Sequence, residues 1–172
     1  MACAVRLAIA GLKEKAVLEI DIPGFGQVKL KYLVSDFTGT LSVHGILAPG
    51  VTELLNRVSA VLDVHILTAD TFGMARSELV GVRCMVHILE QDNEDLQKEK
   101  YVYRLGAENV VALGNGNNDR KMLKTARIGI AVCLKEGCSL AAASAADILV
   151  KSAEDALNLL LQEKSLKATL RF

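Results

Sequence analysis

The chain has no tryptophan, three tyrosines, four phenylalanines and two prolines. So thin an aromatic and proline content argues against a base-stacking surface or a groove that reads proline-rich peptides. Neither sign of charge is in excess: 20 basic against 20 acidic side chains leave the formal net charge at zero. That removes the electrostatic reason to bind nucleic acid or an anionic membrane, so neither is expected as a partner. No apolar run approaches the roughly 20 residues that span a bilayer. The apolar start MACAVRLAIAGLKEK is broken by Arg6, has no basic residue ahead of it and offers no convincing cleavage site, so no signal peptide is expected. The cysteines Cys3, Cys84, Cys133 and Cys138 lack the spacing of a zinc cage or a disulfide framework and read as small buried hydrophobes in a reducing compartment. A cytoplasmic protein is expected.

What is present fits one globular domain over residues 1–172, with 51% hydrophobic and 23% charged residues. From about residue 30 short apolar runs alternate with amphipathic stretches. KYLVSDF, DVHILTA, CMVHIL, NVVALG, IGIAV and DILV read as strands. PGVTELLNRVSAV, TFGMARSELVG, NEDLQKEKYVYRLG, NDRKMLKTA, an Ala-rich turn at 140–144 and AEDALNLLLQEK read as helices. Near-continuous Val, Ile and Leu in the strands implies burial on both faces, hence an α/β three-layer α/β/α sandwich around a parallel, Rossmann-like sheet. Before it, VRLAIA, AVLEIDI and GQVKLKY form an N-terminal β extension, a hairpin or antiparallel edge, over residues 1–30. The core occupies 31–163, and 164–172 is a tail that packs or faces a partner.

In such sheets the ligand sits beyond the carboxyl ends of the strands. Those ends deliver Asp36, followed by Phe37, Thr38, Gly39, Thr40 and Leu41; then Thr68; and then Gly114, Asn115, Gly116, Asn117, Asn118 and Asp119. A helix bearing Lys98 adds a cation. A carboxylate nucleophile, a hydroxyl, a lysine and a cradle of acid and amide oxygens suit phosphoryl transfer through an aspartyl phosphate, with Mg²⁺ neutralising the phosphate.

DFTGTL at 36–41, ILT ending at Thr68, Lys98 and GNGNND at 114–119 resemble, in order and spacing, the four motifs of the haloacid dehalogenase superfamily. The resemblance covers about residues 30–160. DFTGTL resembles the DKTGTL signature of P-type ATPases, and the chain looks like the soluble, stand-alone P-type-ATPase-like phosphatases. The resemblance implies a Mg²⁺-dependent phosphatase in which Asp36 is nucleophile and metal ligand, Thr68 holds the phosphoryl oxygens and Lys98 neutralises charge. Tyr101, Val102 and Leu105 fit the family's apolar spacing after Lys98, with Lys100 as the rival lysine. Thr38, by its carbonyl, with Asn115 and Asp119 would complete the metal site. Gly39, Thr40, Ala69 and Asn118 would bind the phosphate, Asn118 also bracing its loop. Asp70 would line the site or cap the next helix, while His65 and His87 read as structural and His44 as a neighbour of the nucleophile loop.

Two departures from the family pattern bear on rate. Thr38 stands where most of the superfamily's phosphatases carry the acid–base aspartate, and general acid–base help is worth about 10²–10⁴ in rate, so slow turnover of good leaving groups is expected. Asn115 replaces a carboxylate ligand, which weakens Mg²⁺ binding and shifts it toward Asp119. The alternative is a regulatory or binding protein that kept the fold with weakened catalysis. Only one helix is expected between Asp36 and Thr68, and one helix, a strand and a turn between Thr68 and Lys98, so no cap domain and no nucleotide-binding domain is present. The open site then suits a macromolecular phosphorylated substrate, or cover by a second copy in a homo-oligomer, with residues 1–30 and the tail supplying the contact.

Overall fold

Burial along the strands decides the architecture of the computed structural model, which describes residues 17–69 and 73–172. The hairpin that opens the described chain, β1 (Leu18–Ile22) and β2 (Gly26–Leu30), alternates buried and exposed residues. β3 (Tyr32–Asp36) is buried along nearly all its length. Two two-residue strands follow, β4 (Ser42–Val43) and β5 (Ile46–Leu47), then α1 (Val51–Val58), β6 (Asp63–Thr68), α2 (Met74–Glu78), β7 (Met85–Ile88) and α3 (Glu94–Leu105). The last part runs β8 (Val110–Gly114), α4 (Arg120–Thr125), β9 (Ile128–Val132), α5 (Leu140–Ala145), β10 (Ile148–Val150), α6 (Ala153–Leu161) and α7 (Glu163–Leu170).

β8 and β9 are buried at every position, which only a strand covered on both faces can be. They lie inside a six-stranded parallel sheet of order β10-β9-β8-β3-β6-β7. One core fills one face, where Leu33, Ile66 and Leu113 meet Leu55 of α1, Leu157 of α6 and Leu166 of α7. The other packs Val34, Leu67 and Ala112 against Val102 of α3, Met122 of α4 and Ala142 of α5. The edge strands are less covered: Met85, Ile88 and Leu149 are exposed.

Register brings the site together. Asp36 pairs with Leu67 and Ser35 with Leu113, so Asp36, Thr68 and Gly114 share one end of the sheet. The chain leaves β3 toward β6 on one side and returns to β8 on the other, and that reversal opens a crevice beyond Asp36.

Of the two readings of the N-terminal extension, the hairpin is the one present: it is a separate two-stranded sheet, with Leu18, Ile20, Ile22, Val28 and Leu30 buried in the core. The tail packs as helix α7, with Leu166 and Leu170 buried. Both lie away from the crevice: Lys31 donates to the Asn109 carbonyl at 2.9 Å and accepts from Asp63 N–H at 2.8 Å, at the amino ends of the strands. Their apolar faces are thus spent inside this chain and do not cover the site. One expectation changes: β4 and β5 accompany α1 between Asp36 and Thr68, with His44 and Gly45 at positive φ in their turn. No further domain is inserted there or before Lys98 among the described residues. The expected strand VRLAIA, Cys3 and Asp70 lie outside the described residues. Among those described, no helix is long and apolar enough to cross a membrane.

Leu166 tests whether the tail belongs to the core. Leu166→Ala should cost about 2–4 kcal/mol in urea unfolding, as for other fully buried leucines; an unchanged midpoint would mean that α7 adds nothing to the core.

Candidate active site

The loop that follows Asp36 is wound tightly after β3. The Phe37 carbonyl accepts from the N–H groups of Leu41 (2.9 Å) and Ser42 (3.1 Å) and from the Ser42 hydroxyl (3.0 Å), and Gly39 N–H donates to the Ser42 carbonyl at 2.8 Å. Gly39 has φ +79°, and a Cβ there would lie 2.4 Å from Asn115 Nδ2. Glycine therefore lets the loop after β8 close onto the loop after β3. The Thr40 hydroxyl sits between them, 3.3 Å from Asp36 Oδ2 and 3.1 Å from Asn115 Oδ1.

Lys98 decides the electrostatics. It projects from α3, is 1% exposed, and donates to Asp36 Oδ1 at 2.7 Å and to Asp119 Oδ1 at 2.6 Å. Asp119 is fully buried, and its other oxygen accepts from Asn115 N–H (2.9 Å) and Gly116 N–H (2.8 Å). Two carboxylates therefore share one ammonium in a dry setting. Burial pushes the Asp36 carboxyl up, Lys98 pulls it down and Asp119 pushes it up again; the balance leaves its pKa at about 6. Burial disfavours the charge on Lys98, but the two carboxylates outweigh it and hold its pKa above the usual lysine value.

Above this floor lies a cavity of about 520 Å³, lined by Asp36, Phe37, Thr38, His44, Gly45, Thr68, Ala69, Met74, Glu94, Asn115, Gly116 and Asn118. Most expected site residues meet here: Asp36, Thr38, Thr68, Ala69, Asn115 and Asn118 line it, and Lys98 sits beneath. Lys100 does not; it lines a separate cavity with His87 and Arg104.

Three expected residues lie outside the cavity lining. Gly39 and Thr40 lie under Asn115 and tie the two loops together. Asp119 anchors Lys98 and its own loop through both carboxylate oxygens. One residue escaped the sequence reading. Glu94, at the start of α3, lines the cavity and accepts from Asn118 Nδ2 at 2.7 Å. A glutamate opening a helix carries no mark beyond that of an ordinary first-turn acid.

The histidines separate by role. His44 lies at the cavity mouth, where its N–H donates to Glu136 Oε1 at 2.6 Å. The Tyr101 hydroxyl lies 2.8 Å from His65 Nδ1 and 2.5 Å from His87 Nε2, fastening α3 to β6 and β7 just after Lys98. Burial and Arg104 hold the His87 pKa below its ordinary value.

A family model of haloacid dehalogenase-like hydrolases matches residues 94–160, from the start of α3 through Asn115 and Asp119 into α6. An uncharacterized protein of Methanocaldococcus jannaschii is 45% identical over 83 residues, 46% of this chain and 89% of that one. The chain belongs to the haloacid dehalogenase-like hydrolases. Solved structures carry the same fold. A 3-deoxy-D-manno-octulosonate 8-phosphate phosphatase of Moraxella catarrhalis, in complex with magnesium, phosphate and the sugar acid, is 18% identical with a TM-score of 0.63, covering 83% of this chain and 94% of that one. The cobalt-bound octulosonate 8-phosphate phosphatase of Haemophilus influenzae is 14% identical with a TM-score of 0.63 over 79% and 91%. A zinc-transporting P-type ATPase is 23% identical with a TM-score of 0.56, over 72% of this chain but 20% of the pump.

The raised Asp36 pKa has a consequence for stability. A carboxyl whose folded pKa exceeds its unfolded one loses stability as pH rises through that interval, here from about 4 to about 6. Asp36→Asn removes that loss. In metal-free protein it should raise the melting temperature by roughly 2–10 °C near pH 7.5 and by little below pH 4. An equal or lower melting temperature near pH 7.5 would contradict the balance of charge described above.

Proposed function

We propose that the protein is a Mg²⁺-dependent phosphohydrolase that works through an aspartyl phosphate on Asp36. The observation that carries this reading is Lys98, buried between Asp36 and Asp119 at the floor of a cavity lined by oxygen-bearing side chains. A carboxylate oxygen of Asp36 attacks the phosphorus of a monoester, the bond from phosphorus to the ester oxygen breaks, and the leaving oxygen takes its proton from solvent. Lys98 stays protonated throughout and balances charge on Asp36 and the incoming phosphoryl group. Thr68, which lines the same cavity, would hydrogen-bond a phosphoryl oxygen. Water then attacks the acyl phosphate, releasing phosphate and restoring the Asp36 carboxylate.

The residues present fit Mg²⁺, though thinly. Among the described residues no three His, Cys, Asp or Glu side chains gather to hold a metal. The donors would be the Asp36 carboxylate, the Thr38 carbonyl and Asn115 Oδ1, hard oxygens with a single negative charge. When bound, the ion neutralises charge on the phosphate. The magnesium and phosphate in the Moraxella structure support this reading. The octulosonate substrate of that enzyme is not carried over, nor are the nucleotide binding and transport of the pump.

Thr38 has no pKa suited to protonating the leaving group or activating water, so both steps run without general acid–base help. This favours slow turnover with a long-lived acyl phosphate, and it is also what supports the second reading, a binding protein with vestigial catalysis. We place the protein in the cytoplasm, acting on a phosphorylated substrate without nucleic acid or membrane as partner, and the open cavity leaves room for cover by a second copy.

Thr38→Asp separates the readings. With Mg²⁺ and p-nitrophenyl phosphate the wild type should turn over slowly and Asp36→Asn not at all, while Thr38→Asp should run roughly 10²-fold faster. A folded Thr38→Asp variant no faster than wild type, beside an inactive wild type, would favour the binding protein.

A further inference from the structure

Apart from His44, and from the Mg²⁺ that the proposed reaction would hold at the floor, the cavity above Asp36 offers little positive charge. Among the described residues no lysine or arginine lines it. Lys98 is sealed beneath the floor with its ammonium shared between Asp36 and Asp119. Charge of the opposite sign is present. Glu94 lines the wall, held by Asn118 Nδ2 at 2.7 Å, and Glu136 is fastened to His44 at the mouth. Between them the wall is apolar at Met74 and Ala69.

A transferred phosphate finds its partners at the floor. A second anionic group on the leaving alcohol would find none. Carboxylates and phosphates are held by the forked donors of arginine or the ammonium of lysine, and this wall offers a carboxylate in their place. Beside a carboxylate fixed on the cavity wall, that like-charge approach is unfavourable.

We infer that the site, read as the phosphatase site above, takes monoesters whose alcohol carries no second anion and favours those bearing an ammonium, which Glu94 accepts. Bisphosphates, polyphosphates and phosphorylated acids are disfavoured.

Three esters of matched size test this with the full chain and Mg²⁺: aminoethyl phosphate, hydroxyethyl phosphate and phosphoglycolate. kcat/KM should fall in that order, with the extremes roughly tenfold or more apart, as expected for one charge reversed beside a fixed carboxylate. Inhibition constants of the same esters against p-nitrophenyl phosphate should follow the same order, which leaving-group chemistry alone would not produce. Glu94→Gln should compress the ratio and Glu94→Lys invert it; if neither variant folds, the wild-type order decides. Equal constants, or phosphoglycolate preferred, with Asp36 still becoming phosphorylated would overturn the charge inference and leave the phosphatase reading standing. No turnover of any ester, together with no thermal shift on adding beryllofluoride and Mg²⁺, would overturn both.

Discussion

One ammonium shared by two buried carboxylates is the constraint around which this molecule is arranged. Lys98, Asp36 and Asp119 come from a helix and two different loops, and none of the three could be buried alone without a severe desolvation cost. Together they remain one negative charge in excess. Asp119 is satisfied within the fold by two backbone N–H groups in addition to Lys98. Asp36 accepts from Lys98 and the Thr40 hydroxyl, and burial, with Asp119 adding to it, holds its pKa above the usual carboxylate value. It is the carboxylate of the pair that opens onto the cavity.

The fold meets this constraint by register. Parallel pairing places Asp36, Thr68 and Gly114 at one end of the sheet, and the reversal of strand order at β3 opens the crevice between them. α3 carries Lys98 into place, and the contacts of Tyr101 with His65 and His87 fix that helix just after the lysine. The apolar bulk lies elsewhere: the N-terminal hairpin and α7 bury their leucines and isoleucines at the other end of the sheet, so the cavity is left to the loops.

Much of this was legible in the residues. Apolar runs such as VVALG and IGIAV fit only doubly covered strands, and the order of the motifs put Asp36, Thr68 and Asn115–Asp119 after strand ends and Lys98 on a helix. What escaped was what depends on contact between distant segments. Strands β4 and β5 are two residues each, too short to show alternation. Glu94 looks like any first-turn acid until Asn118 is seen to meet it. That Asn115 packs over Gly39 and Thr40 depends on two loops 75 residues apart. The bonds of Asp119 to Lys98 and to the N–H groups of Asn115 and Gly116 likewise appear only once the chain is folded.

The account stands on Asp36 as the atom donor that meets phosphorus. Rapid quenching in acid during turnover of p-nitrophenyl phosphate, followed by borohydride reduction and peptide mass spectrometry, reads that event directly, because an acyl phosphate is reduced to homoserine while a free carboxylate is untouched. Homoserine at position 36, dependent on substrate and Mg²⁺, is the expected result. Turnover that leaves position 36 as aspartate, or places the label on another residue, would contradict the account.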